Sequence, residues 1–181
     1  MKIALKTAML VAFLTSGLPA QAQGTLQFTV ALNGANEAPP NNRPFYASGW
    51  FSLDGNSLSY EVGAAFTNIN DIFYPTSGGI YGPAGPGQNG TLIFDLGNYH
   101  AVINPPPGTY GGYSYDGGFT LTPQQISDLE ADLWYVNFAS STYPLGEIRG
   151  QIQPVPEPSA WALMVIGSCL IVYCKRKKPP G

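Results

Sequence analysis

The segment Leu145–Gln153, LGEIRGQIQ, constrains this chain more than any other. Its polarity alternates residue by residue, with Ile148, Gly150 and Ile152 on one face and Glu147, Arg149 and Gln151 on the other. A period of two is strand geometry, and a slip of one residue would turn the polar set inward, so the register is specified. Just upstream, Leu133–Phe138 is aromatic and β-branched, as strands prefer. The Ser/Thr/Pro-rich Ala139–Pro144 between them reads as a loop. Together the two halves form a hairpin that closes a domain, because everything after it changes character.

Composition agrees with a turn-rich all-β domain. Among 181 residues there are 22 Gly and 17 Pro, only 10% are charged, and Tyr (11) and Phe (9) are abundant. The net charge of −3 hides an asymmetry. Between Gln23 and Pro154 only Arg43 and Arg149 are basic, against ten carboxylates, a balance of −8. A field of that sign disfavours nucleic acid and anionic surfaces as partners.

The ends read as addresses rather than as fold. Residues 1–22 have a basic start (Lys2, Lys6), an apolar run over Ala8–Leu14 and the small-x-small site Ala20-Gln21-Ala22, the pattern of a secretory signal peptide. At the other end, Pro154, Pro156 and Pro158 prevent a continuous helix before Ser159. Residues 160–174 are apolar apart from Ser168, and 175–178 are Lys-Arg-Lys-Lys, which the positive-inside rule places in the cytoplasm. Fifteen residues at about 1.5 Å each fall short of a hydrocarbon core of about 30 Å. A transient signal tolerates that length better than a permanent anchor does.

Residues 155–181, with Pro156-Glu157-Pro158, the apolar run and the basic end in that order, resemble a PEP-CTERM sorting signal. The resemblance implies an exosortase as processing partner, transient anchoring in the inner membrane, removal of the tail and delivery to the cell surface or outside it. Such proteins commonly accompany exopolysaccharide production and biofilm. Both cysteines, Cys169 and Cys174, lie in this tail, so the exported part has neither a disulfide nor a thiol nucleophile.

Within residues 23–154 the expected elements follow from local pattern. Leu26–Leu32 alternates with Leu26, Phe28, Val30 and Leu32 inward. Ala47–Leu53 and Ser57–Ala64 flank Asp54-Gly55-Asn56, a hairpin signal. Thr76–Gly90 reads as a long Gly/Pro loop, Thr91–Leu96 and Tyr99–Ile103 as short strands, and Phe119–Leu121 as the strand end of a Gly-rich aromatic stretch. Thr122-Pro123-Gln124-Gln125 matches a capping box with Pro at N1, which predicts one short helix carrying Ile126, Leu129 and Leu133. Seven or eight short strands with regular turns predict an antiparallel, Greek-key-like β-sandwich.

The same segment resembles a CHRD (chordin) domain. The resemblance rests on Leu32-Asn33-Gly34-Ala35-Asn36-Glu37-Ala38-Pro39-Pro40, Gly82-Pro83-Ala84, Leu121-Thr122-Pro123-Gln124-Gln125, Tyr135-Val136-Asn137 and Gly146-Glu147-Ile148-Arg149-Gly150-Gln151-Ile152, in that order. It implies an extracellular β-rich module without assigned catalysis. Members typically carry His-x-His in the central loop and a further His at a strand end, a credible three-imidazole metal site. Here the matching positions are Gly79, Tyr81 and Ala139, none of which is a good ligand, so no metal or other cofactor is expected.

Several constellations admit a functional and a structural reading. Arg149, one of two cations in the domain and flanked by Gly146 and Gly150, belongs either to a solvated sheet face or to a buried ion pair with Glu147 or Glu37. Of the aromatics, Trp50, Trp134, Tyr110, Tyr113 and Tyr115 form either a sugar-stacking platform or core, with Tyr110, Tyr113 and Tyr115 the set expected to be exposed. His100 reads as an ordinary strand-face histidine. Asn68, Asn70 and Asp71 offer oxygen ligands without calcium-loop spacing. No nucleophilic triad assembles from one His and no Cys. The expectation is therefore a non-catalytic exported protein with a structural or binding role, whose partners are the exosortase and, as alternatives, an exopolysaccharide or other surface proteins. A glycan-binding module is the rival reading, and a hydrolase is the third.

Overall fold

A computed structural model describes residues 24–66, 73–101, 111–156 and 168. The signal segment 1–22, Asn68, Asn70, Asp71 and Tyr110 lie outside the described residues. So do Glu157 and Pro158 of the sorting motif, the apolar run apart from Ser168, and the basic end. Pro156 is described and exposed. Among the described residues no helix is long and apolar enough to cross a membrane.

The described strands are β1 (Leu26–Asn33), β2 (Tyr46–Asp54), β3 (Ser57–Phe66), β4 (Ser77–Gly82), β5 (Thr91–Asp95), β6 (His100–Ala101), β7 (Gly111–Thr120), β8 (Tyr135–Ala139) and β9 (Ile148–Pro154). One helix, α1 (Pro123–Glu130), precedes β8. The strands form one antiparallel sheet in the order β5-β4-β8-β9-β1-β2-β3-β7-β6. This is all-β, antiparallel and sandwich-like, as expected, with nine described strands where seven or eight were expected and with its two layers belonging to one sheet. The single sheet curls on itself. Phe94 of β5 stacks on Phe119 of β7 with ring centroids 4.1 Å apart, and Phe138 of β8 stacks on Tyr115 of β7 at 5.0 Å. Strands so distant in the sheet order touch only if its two halves face each other. The chain crosses between the halves after β3, after β5 and after β7.

The core lies inside the curl. Phe28, Val30 and Leu32 of β1 are buried, with Val136 and Phe138 of β8 and Ile148 and Ile152 of β9. The alternation read from the sequence thus places the inner residues correctly. The helix begins where its capping box predicts: the Gln125 amide donates to Thr122 Oγ1 at 3.3 Å, and the Thr122 amide donates to Gln125 Oε1 at 2.9 Å. Leu129 then packs into the core.

Two segments differ from expectation. Ser77–Gly82, read as part of a long loop, is β4 and pairs on both sides, with β5 and with β8. Its glycines lower strand propensity, yet Gly78 is required by packing. A Cβ there would lie 2.8 Å from the Phe138 ring and 3.1 Å from Tyr115 Cζ, so the ring–ring stack occupies the space a side chain would take. The stretch before Phe119 is also strand, because Gly111–Thr120 pairs with β3 along its whole length.

Candidate functional site

The sheet has an outer face as well as a core. In an antiparallel ladder directly opposed residues point to the same side. Asn137 of β8 opposes Arg149 of β9 and Gly79 of β4, and Arg149 opposes Asn33 of β1. One step along, Tyr135 opposes Gln151 and Tyr81. These residues form a polar and aromatic patch on the side away from the core, yet most of it is buried, and Arg149 retains only 1% exposure. The alternative of a solvated sheet face is therefore overturned.

Two Gly/Pro-rich segments cover the patch, and the patch holds them there. The first runs from a 3-10 turn at Gly34–Asn36 through residue 44, and the second spans 83–90. Arg149 Nη2 donates to the Gly85 carbonyl at 3.2 Å and Nη1 to Asn89 Oδ1 at 3.4 Å. Its guanidinium carbon lies 3.4 Å from the Tyr135 ring centroid, a cation–π stack in a desolvated setting. Gln151 Nε2 donates to the Ala84 and Asp132 carbonyls at 2.9 and 2.6 Å. Asn89 Nδ2 reaches the Ala38 carbonyl at 3.2 Å and so ties the two segments together. Asn41 Nδ2 donates to the Glu147 carbonyl at 3.0 Å.

The ion pair is not the expected one. Glu147 pairs with Arg43, whose Nε donates to Glu147 Oε1 at 2.5 Å. Arg43 lies partly exposed against a buried carboxylate. Arg149 has no carboxylate within salt-bridge distance among the described residues. Its charge is met by carbonyl and amide oxygens and by the ring of Tyr135. The reason for the exchange is geometric. Glu147 precedes β9 and lies against the returning first segment, where Asn41 Nδ2 donates to its carbonyl at 3.0 Å and Arg43 reaches its carboxylate.

Glu37 occupies a different position from the one expected of it. It is 6% exposed, and its Oε1 has no hydrogen-bond partner among the described residues. Burial pushes its carboxyl up to about 7, against the opposing effects of the Ala38 amide and the Arg149 charge. Desolvation also holds Arg149 below its ordinary pKa, with Tyr135 and Glu37 acting the other way. Asn137, 8% exposed, donates through Nδ2 to the Leu145 carbonyl at 3.3 Å, while its Oδ1 is likewise without a partner. Gly146 brings the two groups together. Its φ of +148° is one that side-chain-bearing residues rarely adopt. A Cβ there would lie 2.8 Å from Glu37 Oε1 and 2.7 Å from Asn137 Oδ1. Both groups line a depression of about 540 Å³ beside Tyr81, Tyr135 and Tyr143.

The aromatic platform is corrected. Tyr113 and Tyr115 are core residues, Tyr115 stacked on Phe138 and Tyr113 edge-on to it at 5.7 Å. Burial raises the pKa of both phenols. Trp134 is buried as well, whereas Trp50 is 46% exposed on the outer face of β2, beside Tyr46 at 71%. His100 sits in a surface contact 3.5 Å from Asp116 Oδ1. Gly79, Tyr81 and Ala139 do share one face of adjacent strands, since Ser77 opposes Ala139 as Gly79 opposes Asn137. No group of three or more His, Cys, Asp or Glu suited to a metal occurs among the described residues.

Reading residues alone did not single out Asn137, nor Glu37 except as an ion-pair partner. The available signal was a lone acid inside an otherwise uncharged, Pro-rich stretch, Ala35-Asn36-Glu37-Ala38-Pro39-Pro40. No curated protein and no solved structure matches the chain. The profile of the CHRD domain does match, over residues 28–152, a span that takes in all nine strands in whole or in part and every residue of the buried patch. The chain therefore belongs to the CHRD-domain family, whose domain is typical of extracellular proteins.

Proposed function

We propose that this protein is an exported surface or matrix component whose CHRD domain has a non-catalytic, structural or binding role, and whose tail is read and removed by an exosortase. The observation that carries the reading is how the domain uses its buried charge. Arg149, Arg43 and Glu147 are engaged in holding two loops to the sheet, which is scaffolding work. The rival, a glycan-binding module, loses its Tyr113 and Tyr115 platform to the core. It is supported instead by the exposed Tyr46 and Trp50 on the outer face of β2.

Mass spectrometry of the protein recovered from its native host's surface tests the sorting half. The expected product ends near residues 156–159 and lacks Cys169 and Cys174. A surface-exposed product that retains residues 175–181 overturns processing and leaves a plain membrane anchor. Incubation of the purified chain with polysaccharides tests the other half, and reducing ends released at a steady rate would return the hydrolase reading.

A further inference from the structure

From the bare outer face of β1, β2, β3 and β7, we infer a binding site for a cationic saccharide, a chain of pyranose rings carrying free amino groups. The inference rests on the binding reading above and names the place and chemistry of its ligand.

The face is a trough between two exposed rings. Tyr46 and Trp50 are 71% and 46% exposed and stand on the same side of β2. Four residues at about 3.4 Å each set them about 13 Å apart. The row between them is built from small residues: Ala31 opposes Ser48, Ser48 opposes Gly63, and Gly63 opposes Ser114. The result is an open depression of about 740 Å³, within the usual range for ligand clefts and wide enough to seat one chain of sugar rings. Its floor presents the hydroxyls of Ser48 and Ser114, and its two ends present aromatic rings. A pyranose matches both, with hydroxyls around its rim and C–H groups on its faces.

Charge selects among saccharides. Trp50 opposes Glu61 across the ladder, and Glu61 opposes Asp116. Opposed side chains start about 5 Å apart, so an ammonium group held over the Trp50 ring lies within reach of the Glu61 carboxylate. Glu61 is exposed and has neither a hydrogen bond nor an ion pair among the described residues. The two arginines of the domain are engaged elsewhere, Arg43 with Glu147 and Arg149 over Tyr135. Among the described residues His100, 3.5 Å from Asp116 Oδ1, is the one basic group on this face. With ten carboxylates against two arginines between Gln23 and Pro154, the cation that ring and carboxylate together attract comes from outside. A peptide is a poorer match. β2 and β3 are paired along both edges, so no backbone groups remain to add an extended strand. The face offers side chains alone, and these are aromatic rings, hydroxyls and acids.

The test is a titration of the ¹⁵N-labelled full chain at pH 6 with the β-1,4-linked tetramers of glucosamine, N-acetylglucosamine and glucose, and with tetralysine, followed by amide NMR. The glucosamine tetramer should shift the Trp50 indole and the Ser48 and Gly63 amides together and saturably, and added salt should weaken it. The two uncharged tetramers should bind about fivefold more weakly. Trp50→Ala should weaken the glucosamine tetramer about tenfold. Glu61→Gln should weaken it about fivefold and bring it level with the glucose tetramer. Both side chains are exposed, and the second variant serves as the test if the first fails to fold. Absence of a response to all three sugars overturns the inference, as do shifts confined to Asn137 and Gly146. Equal affinity for the three tetramers overturns the cationic class. Tetralysine bound at the same residues as tightly as the glucosamine tetramer overturns the saccharide. None of these outcomes bears on tail processing or on the release of reducing ends, so failure here is distinct from failure of the reading on which it rests.

Discussion

The outer face of the sheet is wrapped over β8 and β9 and bare over β2, and the two stretches reverse what hydropathy implies. Over β8 and β9 the outward residues include the polar Asn137, Arg149 and Gln151 beside Tyr135, and Arg149 is among the most buried side chains of the domain. Over β2 the outward residues include Tyr46 and Trp50, and they face solvent. Asn33 stands between them in one continuous row, opposing Arg149 on one side and Tyr46 on the other. Burial on this face is decided by where two Gly/Pro-rich segments come to rest. They rest on the polar stretch because Arg149 and Gln151 supply donors to the Gly85 and Ala84 carbonyls and to Asn89 Oδ1.

That contrast gives the largest expected effect. Arg149→Ala should destabilise the domain by about 3–5 kcal/mol, because it removes the donors to Gly85 and Asn89 and the stack on Tyr135 and opens a large cavity beneath the loops. Trp50→Ala, the removal of a far more apolar side chain, should cost less than about 1 kcal/mol. Urea midpoints measured side by side decide it, and equal losses would mean that the cover over β9 is not what stabilises the fold.

The next effect is a pH dependence seated at Glu37. Its folded carboxyl is raised from an ordinary 4.5 to about 7, so the folded state holds the proton more tightly than the unfolded state. The stability it contributes is present in full below pH 4.5 and is lost as pH rises through 7. The charged or titratable groups facing it are Arg149 and Tyr81. Between pH 5 and pH 8 the native chain should lose about 2–3 kcal/mol that a Glu37→Gln variant does not lose. Chemical denaturation at both pH values reads this directly. Parallel pH profiles for the two chains would show that Glu37 titrates normally and is not desolvated.

The smallest effect concerns the second arginine. Arg43→Ala should cost about 1–3 kcal/mol, since it strands the buried Glu147 carboxylate. Adding Glu147→Gln to that variant should recover part of the loss. A double variant less stable than either single one would indicate that Glu147 has another partner to hold. Arg43 thus belongs with the wrapped stretch, although it sits at that stretch's edge and retains contact with solvent.

What the sequence determined by itself is what neighbours along the chain decide. The alternation of β1 and β9 sorts residues by face. The Asp54-Gly55-Asn56 turn joins β2 to β3, and Thr122 to Gln125 starts α1, because each depends on groups within a few residues of one another. Tertiary structure alone decided the rest. Ser77–Gly82 is a strand because the Phe138 and Tyr115 rings from distant strands fill the space above Gly78, and no local propensity records that. Tyr113 and Tyr115 are core because the sheet curls. Glu147 chose Arg43, 104 residues away, over Arg149 two residues along its own chain. The physical reason is common to all three. A strand pattern states which residues share a face, but the free energy of that face depends on what returns to cover it, and the covering segments are remote in sequence.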